Sequence, residues 1–265
     1  MCAEGNVASA EYKCMKTIYG PPDVGLLIKW TTDYEVFGTI DKTKNLKDDK
    51  VYLFHGKADS VVDEKVMKSL ETYYQYFLEP YNIVSDFNIA AEHCFPTTDY
   101  GENCDTLSLP YIGKCHFDGA GKALNTLYGT LQPATTALLK NFLTFNQKPY
   151  WPDDISSLAE TGYIYVPTSC QNGAICHLHI SLHGCEQTED LIGDQYASKI
   201  GMNEWAESNN IIVLYPYVLR SPGVTPPQNP NGCWDWWGYT NIYYATNLGK
   251  QMNFIRSLIK TISGK

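Results

Sequence analysis

The stretch "VYLFHGKADSVV", residues 51–62, decides the reading of the fold. Val51 to Phe54 form a short apolar and aromatic run. The chain then breaks at His55-Gly56 and presents one acid, Asp59, before returning to valine. A buried strand ending in a glycine turn, with a carboxylate at its carboxyl edge, is where α/β enzymes carry catalytic acids. Working outward, Asp63 to about Phe77 has Val66, Met67, Leu70 and Tyr74 near helical spacing, and "NIVSDFNIA" (82–90) reads as a second strand. Residues 1–50 read as polar and irregular, and "EHCFPTTDYGENC" (92–104) as a loop. Helices are expected from Gly119 to about Leu131, from Gly193 to Asn209 and from Thr246 to Ile262. "GYIYVPTSC" and "CHLHISLHGC" read as two strands joined by the tight turn "QNGA", and "IIVLYP" as a buried strand. Strands alternate with helices, so the expected class is α/β with a mainly parallel sheet and one domain over 1–265.

Composition narrows the function. A net charge of -9 leaves no surplus of Lys and Arg to neutralise phosphates, which argues against nucleic acid or an anionic membrane as partner. No apolar run approaches the ~18 residues of a membrane span. The nine cysteines fall as Cys2 and Cys14, Cys104 and Cys115, Cys170 and Cys176, and Cys185 and Cys233, with Cys94 alone. The first three pairs bracket Gly-, Asn- and Pro-rich segments as stapled loops do, and none has the spacing of a zinc site. Such a framework belongs to an oxidising compartment, so the protein is expected to be extracellular. The opening "MCAEGNVASA" lacks the basic start and apolar stretch of a signal peptide, and the secretion signal is expected in an upstream segment.

Candidate catalytic residues follow from order along the chain. His93, in "AEHCFPTTDYG", comes one strand and one helix after Asp59. Acid then histidine, each after its own strand, is the order of α/β hydrolases, where the acid orients the ring and stabilises the imidazolium. "HISLHGC" ends a strand in a glycine turn that can aim the Cys185 amide at an oxyanion. A rival use of His177, His179 and His183, which share one strand face, is metal binding. No carboxylate sits at helpful spacing, so no metal and no cofactor is expected. "NPNGCWDWWGY" (229–239) places Trp234, Trp236 and Trp237 around one acid, either as core or as an apolar platform for a substrate. Cys94 beside His93 is a weaker nucleophile candidate, because sequence neighbours rarely meet in the required geometry.

At these residues the chain resembles the extracellular poly(3-hydroxybutyrate) depolymerase family, in its single-domain, circularly permuted α/β-hydrolase form. The motifs are "HGKADSVV", "HCFPT", "PYIGKCHFDGAGKAL", "TGYIYVPTSC", "LHISLHGC", "IGMNEWAESNNIIVLYP" and "NPNGCWDWWGY". The resemblance implies Asp59 as triad acid, His93 as triad histidine, the Cys185 amide as oxyanion donor and a substrate-subsite tryptophan, for which Trp236 is favoured over Trp234 and Trp237. It also implies the disulfides Cys2–Cys14, Cys104–Cys115, Cys170–Cys176 and Cys185–Cys233. The permuted order puts the serine elbow, G-x-S-x-G, upstream of the first cysteine pair, and no such motif occurs in these 265 residues. Ser60 and Ser181 are not on strand-to-helix elbows. The expectation is therefore a secreted, monomeric serine esterase of hydrophobic polyesters that lacks its nucleophile and the central strand carrying it, and is inactive alone. The alternatives are a non-catalytic polymer- or glycan-binding pseudoenzyme and an acetyl or feruloyl esterase.

Overall fold

Val51–Phe54 (β1) forms a strand because β-branched and aromatic residues fit a pleated surface, and it pairs in parallel with Ile83–Asp86 (β2), Val51 opposite Ile83. A parallel pair needs a crossover, and Glu64–Phe77 supplies it. The computed structural model describes residues 2–153, 156–221 and 228–264. It divides into two compact units, residues 1–93 with 235–265, and residues 94–234.

In the first unit, Val7–Tyr12 (α1) and Val24–Val36 (α2) precede the β1–α3–β2 crossover, α3 being Glu64–Phe77. Both overturn the reading of residues 1–50 as irregular. α2 shows no stripe of helical period, because Lys29, Asp33 and Glu35 are scattered among its apolar residues; its start is set by a cap, the Asp23 carboxylate accepting from the Leu26 N–H at 3.0 Å. α2 is joined to α3 through Thr31 Oγ1 and Tyr73 Oη, 2.7 Å apart. A C-terminal helix, Lys250–Ser263, buries Gln251, Phe254 and Leu258 along one stripe. It begins later than the apolar pattern suggests, because the Gly249 N–H bonds the Thr246 carbonyl in a turn.

In the second unit, Phe95–Thr97 (β3), Glu102–Asn103 (β4) and Ile112–Lys114 (β5) form a parallel sheet in the order β3-β5-β4, within and beyond the expected loop. Gly119–Tyr128 (α4) follows, capped by Asp118. Phe142–Asn146 (β6), Thr161–Tyr165 (β7), His177–Ile180 (β8) and Ile211–Tyr215 (β9) make a four-stranded sheet in the order β6-β7-β9-β8. β8 and β9 are parallel, whereas β6–β7 and β7–β9 are antiparallel. β9 lies inside that sheet and is almost wholly buried, which is why it reads as a continuous apolar run.

Two expectations fail here. β7 and β8 are not a hairpin, since β9 lies between them. The Asn172-Gly173 signal instead ends a short helix, Thr168–Gln171 (α5): Gly173 has φ +91° and its N–H returns to the Cys170 carbonyl. The expected helix over 193–209 is broken into Gln195–Lys199 (α7) and Met202–Asn209 (α8) by Gly201 at φ +88°, after a first turn at Glu189–Ile192 (α6).

Gln147 ties this unit together. Its fully buried amide donates to the Ala159 and Tyr217 carbonyls at 2.7 and 2.9 Å and accepts from the Tyr217 N–H at 3.0 Å. Gln147→Leu would strand two buried backbone groups, the Ala159 carbonyl and the Tyr217 N–H, each costing about 1–3 kcal/mol, while the Tyr217 carbonyl keeps the Ala159 N–H at 3.0 Å. A loss of roughly 3 kcal/mol, allowing for local relaxation, is expected in urea unfolding with an unchanged denaturant slope.

Candidate active site

The loops that follow β1 and β2 are stitched edge to edge. The Lys57 N–H donates to the Ile89 carbonyl at 2.7 Å and the Ala58 N–H to the Ala91 carbonyl at 3.0 Å. A side-chain carbon at Gly56 would lie 2.2 Å from the Ala91 oxygen, so only glycine permits this approach. The stitching delivers Asp59 to His93. Asp59 Oδ1 accepts the Val61 and Val62 N–H groups, both at 2.8 Å, and Oδ2 lies 2.9 Å from His93 Nδ1. The carboxylate is buried, at 6% exposure, while the His93 ring is 45% exposed. Nδ1–H is therefore turned to the acid and Nε2 is left available.

Burial pushes the Asp59 carboxyl up. The hydrogen bond from His93, the Val62 amide, the charge on His93 and the Val61 amide together outweigh it, so the pKa falls below the ordinary aspartate value.

Two residues that sequence reasoning missed complete this loop pair. Glu92 is buried, and its two carboxylate oxygens accept the Ser60 N–H at 3.0 and 2.7 Å; Oε1 also takes the Ser60 hydroxyl. The residue after the acid is thus clamped to the residue before the histidine. His55 is buried too, with Nε2 3.8 Å from Asp59 Oδ2, but that nitrogen donates to the Val62 carbonyl at 2.8 Å. The signal for Glu92 was its place beside His93 in "AEHC", an acid in an otherwise small and apolar setting.

The first unit also holds Trp236 and Trp237, with ring centroids 5.6 Å apart and nearly perpendicular. Their loop is built on Asp235. One carboxylate oxygen accepts the Gly238 and Tyr239 N–H groups, the other accepts the Thr240 N–H and hydroxyl, and the Asp235 N–H is held by Gln251.

In the second unit, the chain leaving β8 reaches Cys185, which is bonded to Cys233. The flanking amides are occupied: the Gly184 N–H by Gln187 Oε1 at 2.8 Å and the Glu186 N–H by the Asn231 carbonyl at 2.6 Å. Cys185 itself is an exposed residue, and its N–H has no protein acceptor among the described residues. Trp234 lies 6.0 Å from the His183 ring. The other disulfides join Cys2–Cys14, Cys104–Cys115 and Cys170–Cys176. Cys94 Sγ lies 4.0 Å from Cys115 Sγ.

His177 and His179 both pack on Tyr128, and burial lowers the His179 pKa to about 4. His183 packs on Tyr217 instead. Among the described residues no three His, Cys, Asp or Glu side chains are grouped to hold a metal. The Ser181 hydroxyl is buried against Tyr196 Oη at 2.9 Å.

Comparison with known proteins is decisive for the family. The chain is 36% identical over 240 residues, 84% of its length, to a polyhydroxybutyrate depolymerase of Talaromyces funiculosus, and spans 68% of that protein. It superposes on the crystal structure of a PHB depolymerase from Penicillium funiculosum with a TM-score of 0.87 and 32% identity, covering 98% of this chain and 82% of that one. The chain belongs to the polyhydroxybutyrate depolymerase family. It is also 42% identical over 266 residues, 99% of its length, to a poly(3-hydroxybutyrate) depolymerase of Delftia acidovorans, of which it spans about half, 52%. A serine-to-alanine variant of a PHB depolymerase, in complex with an R3HB trimer, superposes equally well, with a TM-score of 0.87. No family model matches the chain. Family membership brings the α/β-hydrolase-like fold, with mainly parallel pairing and helices around the sheets.

Two outcomes test the first-unit geometry. The depressed Asp59 pKa means that its contribution to stability is complete above the unfolded value of about 3.9 and is lost as pH falls through the lower folded value. Asp59→Asn should flatten that acid limb in urea unfolding measured across pH 2–6. Gly56→Ala should destabilise by roughly 1–3 kcal/mol, and should shift or erase the His93 Nδ1–H resonance in the proton spectrum.

Proposed function

We propose that this chain carries the acid, the base and one oxyanion donor of a secreted serine esterase that hydrolyses poly(3-hydroxybutyrate) or its oligomers. The observation that carries this reading is the Asp59–His93 pair, held at 2.9 Å with the acid buried and the far edge of the ring exposed. In that arrangement Asp59 fixes the Nδ1–H tautomer, and His93 Nε2 takes the proton of a serine hydroxyl as its oxygen attacks the ester carbonyl. The tetrahedral oxyanion is held by the Cys185 N–H and a second amide. His93 then returns the proton to the leaving alkoxide, and water repeats the sequence on the acyl-enzyme. Acyl transfer of this kind draws on no cofactor.

These 265 residues hold no G-x-S-x-G elbow, and the hydroxyls of Ser60 and Ser181 are committed to Glu92 and Tyr196. We assign the nucleophile to a segment outside them and expect the chain by itself to be inactive. A serine replaced by alanine in the related R3HB complex supports the serine mechanism and the 3-hydroxybutyrate substrate class. Trp236 is the proposed substrate-contacting tryptophan, with Trp237 packed beside it and Trp234 as a further candidate. Four disulfides favour an extracellular setting, and the acidic chain favours neither nucleic acid nor anionic membrane. The absence of an elbow favours one rival, a non-catalytic binder of polyester or glycan.

The test joins a G-x-S-x-G segment from a relative to the start of this chain and follows hydrolysis of 3-hydroxybutyrate trimers, with acetylated and feruloylated sugars alongside. Hydrolysis of the trimers is expected, with His93→Ala lowering kcat roughly 10²–10⁴-fold. Sugar-ester hydrolysis alone would move the substrate class. No hydrolysis, or activity indifferent to His93, would defeat the esterase reading.

A further inference from the structure

His183 is buried to 3% exposure, two residues before Cys185, and neither the acid–base pair nor the tryptophan loop uses it. Both of its ring nitrogens are spoken for. Nδ1 lies 2.7 Å from the Gly184 carbonyl oxygen, which can only accept, so Nδ1 carries the proton. Nε2 lies 3.2 Å from the Val218 amide, which can only donate, so Nε2 is bare. The two partners fix one neutral tautomer. Burial lowers the pKa of this ring to about 4, so it stays neutral where esters are hydrolysed enzymatically near neutral pH. The ring is wedged against Tyr217, Trp234 and Tyr196, with centroids 4.7, 6.0 and 6.2 Å away.

The Gly184 carbonyl and the Cys185 N–H belong to one peptide plane. That peptide is trans, so its C=O and N–H point in opposite directions. Anchoring the oxygen on the buried ring therefore aims the Cys185 N–H away from the core, where it meets no protein acceptor among the described residues. The plane cannot easily turn about either end. The Gly184 N–H is held by Gln187 Oε1, Gln187 itself is fixed on the Pro110 carbonyl, and Cys185 is tethered to Cys233. We propose that His183 is the positioning residue of the oxyanion site: its Nδ1–H holds the carbonyl end of the 184–185 peptide so that the amide end is presented to the ester oxygen. This rests on the esterase reading for its catalytic consequence, and on the second unit alone for its geometry.

Two substitutions separate the roles of the ring. In His183→Asn the side-chain amide nitrogen takes the place of Nδ1 and can still donate to the Gly184 oxygen. In His183→Gln the longer side chain reaches the place of Nε2 and can still accept from Val218, while the Gly184 carbonyl loses its short bond and keeps only the longer one from the Gln187 N–H at 3.3 Å. In the serine-bearing esterase, His183→Gln should lower kcat roughly 10²-fold with KM little changed, as loss of an oxyanion donor does. His183→Asn should keep at least about tenfold more kcat than His183→Gln. A ring that merely fills space predicts equal losses in both variants, and that result, no loss in either, or the reverse order would overturn the proposal. The chain as it stands supplies two further readouts. In ¹⁵N-labelled protein the Cys185 amide resonance should move in His183→Gln and stay near its parent position in His183→Asn. In the unsubstituted chain, long-range ¹⁵N–¹H spectra should show His183 protonated at Nδ1 and bare at Nε2; the other tautomer would overturn the proposal without any variant having to fold. Failure of the parent esterase to hydrolyse any ester would defeat the esterase reading, while these spectra still decide what His183 does.

Discussion

The contact on which the acid–base geometry depends is the approach of the Gly56 backbone to the Ala91 carbonyl. Parallel strands place their carboxyl ends side by side, so the loops leaving β1 and β2 emerge together. Whether those loops touch is decided by one missing side chain, because a carbon at position 56 would overlap the Ala91 oxygen at 2.2 Å. Once the loops touch, two backbone hydrogen bonds and the Glu92–Ser60 clamp hold them. The acid and the histidine then have little left to choose: they are the residues that face one another across the seam.

The second unit solves a different problem with different means. An amide donor must be exposed and unspent, yet immobile, and unspent backbone groups are rare in folded chains. Around the Cys185 N–H, the Gly184 carbonyl is committed to a buried histidine and to Gln187, the Gly184 N–H to Gln187, the Glu186 N–H to Asn231 and the Cys185 sulfur to a disulfide. The immobility comes from the neighbours, and the Cys185 N–H is the amide they leave out, as the proposed oxyanion role requires. Gln187 illustrates how far the support extends, since its own amide is pinned to the segment before β5.

Much of this was legible in the residues. β1, α3 and β9 carry strong local signals, an apolar run, a 3.6-residue stripe and a wholly buried strand, and they stand where those signals put them. The failures have physical causes. Asn172-Gly173 suits a hairpin turn and a helix end equally well, and only the intrusion of β9 between β7 and β8 chooses the latter. Gly201 could have been tolerated inside one helix but takes a left-handed conformation and splits it. In α2 polar and apolar residues are not sorted onto separate faces, so no period shows and only its Asp23 cap betrays it. At the candidate site, the pairing of Asp59 with His93 was readable because each residue follows its own strand. Glu92 and His183 were not, because nothing in a sequence says which atoms of a buried polar side chain are already taken.

That allocation of atoms separates three buried or half-buried carboxylates that otherwise look alike. Asp235 spends both oxygens on the backbone and hydroxyl of its own loop, and Glu92 spends both on Ser60. Each is a fastener, with both oxygens turned to the chain it holds. Asp59 spends only Oδ1 on Val61 and Val62, which is enough to fix its rotamer, and keeps Oδ2 for an imidazole. A carboxylate with two saturated oxygens cannot orient a base, and one with none cannot hold still while doing so. The divided carboxylate meets both demands, and the same division recurs at 184–185, where a peptide gives its oxygen to the core and keeps its N–H outward. The groups proposed for chemistry are each half satisfied, and the neighbouring loops are built to keep the other half from being used up.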